Sequence, residues 1–450
     1  MKQHDSIARS GPDHGSVLII VLWIAFGLVG IALYFADAMT SELRASDNLA
    51  CGMAADQAIE GAARYVGAVL VRCATNGTLP DLTQYKADAV PVGDSRFWII
   101  GRNPGGDSTE PYFALIDEAS KLNVNSSGTN VLLNLPDMTP LFAQAIVDWR
   151  NTNGAGLSGL AYAGMGYAPK NAPYETVDEL RLVDGAGMDI LVGEDGNLNG
   201  VLDDNETDLN HNRCVDCGLL DYCTVFSREP NCHTDGTSLT NVNSHAALQP
   251  LLQAQFGASR ANQILERFVA PVSNGRRGST TKQVTVNNLL RFYLQSGMTS
   301  AEFARIAGVI TASSEPFIAG RVNINTASAT VLSCLPGMDF ATARQLVDYR
   351  LRNPGNLGSI AWIVDALGAG NTAVQSLAQG DFITTSSYQF TADIAALGPH
   401  GRGYRRTRFV FDISTGVPRI VYRRDLNRLG WALGKTVRLA VLENESKGAN

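Results

Sequence analysis

An uncharged run of twenty residues, 17–36, constrains the fold of this chain more than any other feature of its sequence. As an α-helix the run is about 30 Å long, which matches the hydrocarbon core of a membrane. A secretory signal peptide ends at a small-residue cleavage site, whereas this chain continues into a polar, helix-forming stretch. We therefore expect one helix that spans a membrane and then continues in solvent along a face of recurring alanines: Ala45, Ala50, Ala54, Ala58 and Ala62.

The residues before the apolar run suggest a processing site. A short hydrophilic leader ends in Gly15, and the apolar run begins directly after Ser16. This arrangement resembles the type IV pilin and type II secretion pseudopilin families, and the resemblance implies cleavage between Gly15 and Ser16 by a membrane prepilin peptidase. Most of these proteins have glutamate at mature position five, where this chain has Ile20. The pseudopilin K family commonly lacks that glutamate. The alternative is an ordinary single-pass anchor that is never cleaved.

Composition limits the remaining part of the chain. Its 450 residues are 45% hydrophobic and 18% charged, which is typical of a globular protein with two to four domains and one membrane segment. The formal net charge of −7 argues against nucleic acid as the main partner and favours protein or metal partners.

An internal repeat occupies the middle of the chain. Residues 121–150 align without a gap onto residues 321–350, and eleven positions are identical. Each copy contains an Asn-x-Asn turn, a short apolar helix, a Leu-Pro hairpin and a second helix that ends in Asp-aromatic-Arg. This order is typical of a helix-hairpin-helix unit.

The hairpins lack the chemistry of a phosphate site. In helix-hairpin-helix DNA binders, hairpin glycines let backbone N–H groups approach a phosphate. The first copy has Asp137 and Thr139 at these positions, and the second has Asp339 after Gly337. Because a carboxylate repels phosphate, we interpret both copies as SAM-like modules for protein contacts, and we expect no nucleic acid partner.

Several segments together resemble the minor pseudopilin K family of the type II secretion system. They are residues 116–125, 148–150, 167–185 and 320–337. The resemblance implies an α+β fold, in which a pilin-like N-terminal helix packs on a small antiparallel sheet and a large helical domain with two SAM-like/helix-hairpin-helix modules is inserted. It also implies a place at the tip of the pseudopilus, with minor pseudopilins of the I and J types as partners, and a single pass through the inner membrane with the bulk of the chain in the periplasm.

The predicted organisation follows from these segments. A hairpin of residues 97–101 and 112–117 and a second hairpin of residues 407–414 and 419–423 are expected on either side of a helix-rich middle. The expected parts are the leader 1–15; the N-terminal helix 16–74, membrane-spanning at 17–36; a β segment 75–118; a first SAM-like domain 119–318 with a calcium and cysteine insertion at 193–235; a second module 319–385; and a β segment 386–450 that completes the sheet.

A loop of twelve residues, 195–206, has the spacing of an EF-hand calcium site. Gly200 stands at position six, where the loop turns sharply. The expected Ca²⁺ ligands at positions one, three, five, seven, nine and twelve are Asp195, Asn197, Asn199, the backbone carbonyl of Val201, Asp203 and Glu206. No switch-like pair of flanking helices is expected, so we interpret the site as a structural calcium clip.

The next residues repeat the early part of this spacing. Asp208, Asn210, Asn212 and Asp216 match the first ligand positions, while Arg213 replaces the glycine and Leu219 replaces the last acid. A second metal ion at these residues is therefore an open alternative.

Four of the seven cysteines fall close together in this region: Cys214, Cys217, Cys223 and Cys232. A CxxC followed by two more cysteines is compatible with zinc, but beyond a membrane helix thiols oxidise, so we favour disulfides. Four cysteines allow three connectivities, and the sequence does not choose among them.

No enzyme site emerges from the sequence. The six histidines show no metalloprotease, triad or redox spacing. Three function classes remain: an assembly subunit at the pseudopilus tip, which we favour; a membrane-anchored helix-hairpin-helix DNA-binding protein of the competence type; and a calcium-dependent periplasmic enzyme, for which no residues present themselves.

Overall fold

The computed structural model describes residues 14–72, 77–105, 108–151, 159–272 and 280–448. The predicted leader falls mainly outside this part of the chain. The helices are α1 His14–Val71, α2 Thr129–Leu132, α3 Pro140–Trp149, α4 Gly159–Met165, α5 Met188–Val192, α6 Leu219–Tyr222, α7 His245–Phe256, α8 Ala258–Glu266, α9 Leu289–Ser296, α10 Ser300–Ile306, α11 Ala329–Ser333, α12 Phe340–Arg352, α13 Trp362–Leu367, α14 Thr372–Leu377 and α15 Gly434–Gly448.

The strands are short except in one sheet. They are β1 Val90–Val92, β2 Ser95–Ile100, β3 Ile116–Asp117, β4 Leu122–Asn123, β5 Cys223–Thr224, β6 Arg228–Pro230, β7 Thr240–Asn241, β8 Val269–Val272, β9 Thr280–Gln283, β10 Ile310–Thr311, β11 Phe317–Ala319, β12 Val322–Asn323, β13 Ile383–Thr384, β14 Gln389–Leu397, β15 Arg405–Asp412 and β16 Arg419–Asp425.

The N-terminal helix α1 is continuous and has two different halves. Almost every side chain from 17 to 50 is exposed, and the apolar part is long enough to cross a membrane once. The second half buries a face that includes Ala55, Ala58 and Ala62 against the sheet. These positions recur at helical spacing, and their small side chains let the helix approach the strands closely. The prediction of one helix that begins apolar and continues as an amphipathic helix is confirmed.

One antiparallel sheet receives strands from both ends of the chain. Its order is β1-β2-β14-β15-β16, and β3 also pairs with β14. All nine residues of the central strand β14 are buried, since α1 covers one face of the sheet and Ala432 and Leu433 pack with the other. The helical middle of the chain therefore leaves the sheet after β3 and returns to it at β14. This arrangement of a long N-terminal helix on an antiparallel sheet agrees with the α+β class predicted from the sequence.

The predicted hairpin of residues 97–101 and 112–117 forms only next to its turn. Its two strands follow one another along the same edge of β14, where Ile99 is opposite Ile394 and Ile116 is opposite Thr391. They are joined directly by a bridge between Ile100 and Phe113 and by a 2.7 Å hydrogen bond from the Gly101 N–H to the Tyr112 carbonyl. The long buried strand β14 offers both segments backbone partners, so pairing with each other is not required. The second predicted hairpin is confirmed, because β15 and β16 pair antiparallel.

The two repeat copies fold in the same way. Each has a two-residue strand, a short helix and a longer helix: β4, α2 and α3 in the first copy, and β12, α11 and α12 in the second. The hairpin residues Asp137 and Gly337 both adopt positive φ, at 55° and 75°. Thr139 and Asp339 then cap the longer helices by accepting the N–H groups of residues 142 and 342. The order of strand, short helix and longer helix is thus the same in both copies, while their assignment to SAM-like/helix-hairpin-helix modules remains a prediction.

Candidate metal centre

The first predicted loop lies between α5 and α6 and packs against the sheet. Asp195 is fully buried, and its carboxylate accepts the backbone N–H groups of Asn199 at 2.9 Å and Gly200 at 2.8 Å. Gly200 has a φ of 82°, a conformation that glycine adopts without steric cost. These hydrogen bonds curl the chain around the Asp195 carboxylate, as the spacing predicts.

The far end of this loop closes over the same centre. The Glu206 carboxylate accepts the backbone N–H groups of Asn197 at 3.1 Å and Asp203 at 3.0 Å. The side-chain amides of Asn197 and Asn199 both donate to Asp203 Oδ2, at 2.6 and 2.8 Å. The structure thus brings the predicted side chains of the first loop together, and Val201, whose carbonyl is the remaining predicted ligand, is buried beside them.

One atom in this loop has an unmet bonding requirement. Asn197 is almost fully buried, and its Oδ1 has no hydrogen-bond partner among the described residues. A buried carbonyl-type oxygen without a hydrogen-bond partner costs free energy, and such an oxygen is a suitable ligand for Ca²⁺. No group of three or more His, Cys, Asp and Glu side chains forms a ligand set in the described part of the chain. A cation in this loop would therefore depend on amide and backbone oxygens in addition to carboxylates.

Burial sets the electrostatics of the loop. It raises the pKa of the Asp195 carboxyl, and the guanidinium of Arg102, 3.9 Å from Asp195 Oδ2, acts in the opposite direction. Burial also raises the pKa of Glu206. A carboxylate taken out of water without full compensation favours a cation beside it. The oxygen set and the incomplete charge compensation both fit a hard divalent cation.

The second predicted loop has the same backbone geometry as the first. The Asp208 carboxylate accepts the N–H groups of Asn212 at 3.2 Å and Arg213 at 2.9 Å. Arg213 has a φ of 64°, although it is not glycine, and it occupies the position that Gly200 takes in the first loop. His211 at φ 59° likewise matches Leu198 at 58°. The replacement of glycine by arginine therefore does not prevent the turn.

The amides of the second loop also follow the first. Asn210 and Asn212 both donate to Asp216 Oδ2, the second of them at 3.2 Å. These residues are mostly exposed, in contrast to the first loop. Leu219, which stands where the last acid is missing, is the first residue of α6 and is buried in the helical core.

Glu194 takes the place of the acid that is missing from the last position of the second loop. The spacing of that loop did not predict this residue. Its carboxylate accepts the N–H of Leu209 through Oε1 and the N–H of Asp216 at 3.1 Å through Oε2. Glu206 binds the corresponding end of the first loop, Asp203, in the same way. Glu194 is buried, and it precedes the first loop by one residue. Its position next to Asp195 was the only sequence clue.

The cysteines do not form the predicted disulfides in the structure. Cys217, Cys223 and Cys232 are free thiols, and Cys214 lies half-buried in the second loop. Cys223 is opposite Leu122 in the β5–β4 pair, and burial raises its pKa to about 12. Cys232 is exposed at a separate bridge to Ser238. Closeness in sequence did not bring these thiols together because β5 draws Cys223 into the helical core.

The second hairpin places a carboxylate where a phosphate would bind. Asp339 Oδ1 accepts the N–H of Thr342 at 2.7 Å, and this hydrogen bond lowers the pKa of Asp339. An ionised aspartate at the N-terminus of α12 stabilises the helix and repels a nucleic acid backbone.

Comparison with known proteins supports one of the function classes. Residues 322–378, from β12 to just beyond α14, match the sequence model of a family described as "Type II secretion system (T2SS), protein K". The resemblance that the sequence indicates is confirmed for this segment. No curated protein matches the chain. Among solved structures the chain is similar to one in the crystal structure of the GspK-GspI-GspJ complex from the type 2 secretion system of enterotoxigenic Escherichia coli. The identity is 10%, the TM-score is 0.41, and the alignment covers 82% of this chain and 95% of that chain.

Proposed function

We propose that this chain is a minor pseudopilin of the K type that caps the tip of a type II secretion pseudopilus and acts in its assembly and in protein export. The match of residues 322–378 to the protein K family carries this proposal. The role is structural, with the helical middle acting as a head that contacts other subunits instead of as a catalytic domain.

The two halves of α1 support a membrane-anchored precursor. The apolar half is exposed along its whole length, so it has no partner within the described chain and suits a single pass through the inner membrane. The second half is fixed to the sheet, which holds the remaining chain outside the bilayer, in the periplasm. Prepilin peptidase then cleaves after Gly15 and leaves Ser16 as the mature N-terminus.

A stripe of exposed apolar residues on α1 supports contact with other subunits. Met39, Leu43 and Met53 are each more than 60% exposed. At about 100° per residue they fall within an arc of about 80°, roughly opposite the buried Ala55. A stripe that the sheet leaves uncovered is suited to the helices of neighbouring pseudopilins.

The terminal position is supported by Ile20 and by the size of the head. A glutamate at this position in other pilins is thought to meet the N-terminus of a neighbouring subunit, and a subunit with no neighbour above it needs no such contact. The helical middle, inserted between β3 and β14, adds bulk that would block the next subunit. We propose minor pseudopilins of the I and J types as the partners below it.

Two measurements test this function. Full-length chain produced with a prepilin peptidase should yield a mature form beginning at Ser16 by intact mass, and a Gly15→Asp variant should stay uncleaved. The soluble region 40–450 should form a stable complex with soluble I-type and J-type pseudopilins on a sizing column. Cleavage without complex formation would reject the tip role, and absence of cleavage would favour the simple anchor.

We further propose that both loops bind Ca²⁺ as structural clips. The first would use Asp195, Asn197, Asn199, Val201, Asp203 and Glu206, and the second would use Asp208, Asn210, Asn212 and Asp216 together with Glu194. When bound, the ion supplies a positive centre that neutralises these oxygens and fixes the loops. The partnerless Oδ1 of Asn197 is the main support for the first site.

A further inference from the structure

We propose that Arg406 is a positioning residue for the cation loop, and that it couples occupancy of this loop to the central strands of the sheet. The inference rests on the proposed calcium site and extends it, since Arg406 has no oxygen to offer and is not a ligand.

Arg406 lies in β15 and is one of the largest fully buried side chains. Its guanidinium forms two hydrogen bonds of 2.8 Å with the Asp393 carboxylate of β14. The same guanidinium donates to the backbone carbonyls of Asn197 and, at 2.8 Å, Leu198. One planar group therefore joins two strands of the sheet to two consecutive peptides of the loop.

These two peptides control the ligand geometry. Asn197 and Leu198 are positions three and four of the loop, and Leu198 has a φ of 58°, which is unfavourable for a residue with a side chain. Two charge-assisted hydrogen bonds hold the backbone in this conformation before any cation arrives. A preformed loop loses less conformational entropy on binding, so Arg406 should increase cation affinity.

The positive charge of Arg406 acts against this gain in cation affinity, but the Asp393 carboxylate offsets it in part. Asp393 is fully buried and binds Arg406 through both oxygens, and the two guanidiniums of Arg406 and Arg408 hold the pKa of Asp393 far below its usual range. Asp393 therefore offsets one of the two guanidinium charges, and the three groups together carry one net positive charge at neutral pH. Because a paired charge exerts a weaker field than a single one, preorganisation should outweigh repulsion.

The ligands also contact the segment that precedes α15. The side-chain amides of Asn197 and Asn199 donate to the carbonyls of Trp431 and Ala432, at 3.0 and 3.4 Å. Lys435, the second residue of α15, adds an ion pair of 2.9 Å with Asp204 in the same loop. Ordering of the loop by a cation should therefore also stabilise strands β14 and β15 and residues 431–435.

Arg408 provides a matched control for Arg406. It binds the same Asp393 oxygen through Nε at 3.0 Å and Nη2 at 2.7 Å. Its described hydrogen bonds go to Asp393 alone, so it lacks the connection to the loop. Arg406→Lys keeps the charge beside Asp393 but loses the forked geometry, and Arg408→Lys makes the same chemical change without affecting the loop.

The test is a calorimetric titration of residues 40–450 with Ca²⁺, combined with hydrogen exchange with and without Ca²⁺. We expect Arg406→Lys to bind roughly tenfold more weakly at the first site, and Arg408→Lys to bind within about twofold of the wild type. In the wild type, Ca²⁺ should slow exchange in residues 389–412 and 431–435 as well as in the loop.

Three results would overturn the inference. Equal affinity of Arg406→Lys and wild type would remove the positioning role, and protection limited to the loop in the wild type would remove the coupling even if Arg406→Lys fails to fold. Absence of any Ca²⁺ binding by the wild type would instead reject the calcium proposal on which the inference rests, while leaving the pseudopilin proposal in place.

Discussion

The side-chain amide of Asn323 donates a 3.0 Å hydrogen bond to the carboxylate of Asp117, which lies 206 residues earlier in the chain. Thr326 and Ser387 donate to the same carboxylate oxygen, so this buried group joins the end of β3 to the second repeat and to the start of β14. Despite these hydrogen bonds, burial raises the pKa of Asp117 to about 6. The junction between sheet and head is therefore a place where stability depends on pH.

A second buried acid near this junction gives the sharper pH prediction. Burial raises the pKa of Glu229 to about 7 from its ordinary value of 4.5, and Arg321, 3.7 Å away, compensates only in part. Since the folded state binds the proton more tightly than the unfolded state, stability from this group is present below pH 4.5 and is lost as pH rises towards 7. The loss amounts to roughly 3 kcal/mol.

Urea unfolding at pH 4.5 and 7.5 tests this prediction. Glu229→Gln cannot ionise, so its free energy of unfolding should fall less than that of the wild type over this range. The same pH dependence in both proteins would show that Glu229 does not titrate in this window. Asp365→Asn removes the charge of an exposed carboxylate that accepts a 2.6 Å hydrogen bond from the Ser300 hydroxyl; it is the control and should keep the pH dependence of the wild type.

Calcium should stabilise the soluble region. At a free Ca²⁺ concentration of about one hundred times the dissociation constant, one site adds about 2.7 kcal/mol to the free energy of unfolding. Thermal unfolding of residues 40–450 with Ca²⁺ and with EDTA should therefore give clearly different midpoints. Asp195→Asn should reduce this difference, because Asp195 is the buried first ligand. An unchanged midpoint on addition of EDTA would argue that the hydrogen bonds within the loop suffice.

Glu194 should determine the second site without affecting the first. Glu194→Gln retains the shape of the side chain but removes the charge that closes the second loop, and Glu206→Gln makes the same change in the first loop. Calorimetry should show two sites in the wild type and one site in each variant. Retention of both sites in Glu194→Gln would limit Glu194 to a structural role in closing the second loop.

Local patterns in the sequence predicted the features that depend on neighbouring residues. The uncharged run 17–36 predicted the start of α1, the repeat predicted two like-folded units, and the spacing from Asp195 to Glu206 predicted a loop that curls around one centre. In each case the hydrogen bonds or the buried face involve residues close in the chain. Such local interactions can be predicted from the spacing and periodicity of residues in the sequence.

Contacts between distant residues were not predictable in the same way. The pairing of β2 and β3 with β14 depends on a strand nearly 300 residues later, and a β-favouring pattern does not specify a partner. Glu194 and Arg406 act through groups outside the spacing of their own loops. The cysteine prediction failed because compartment chemistry indicates oxidation but does not bring two thiols within bonding distance.

The apolar stripe on α1 gives the most direct test of assembly. Leu43 is 66% exposed and makes no contribution to the described core, so Leu43→Glu should leave the unfolding temperature of the soluble region unchanged. In the full-length protein the same change should reduce recovery of I-type and J-type pseudopilins from detergent-solubilised membranes, because a charge would lie between packed helices. Leu439→Glu on α15, at a leucine that is 52% exposed, is the control and should leave recovery unchanged. Equal recovery with both variants would show that subunits meet through the head and not through α1.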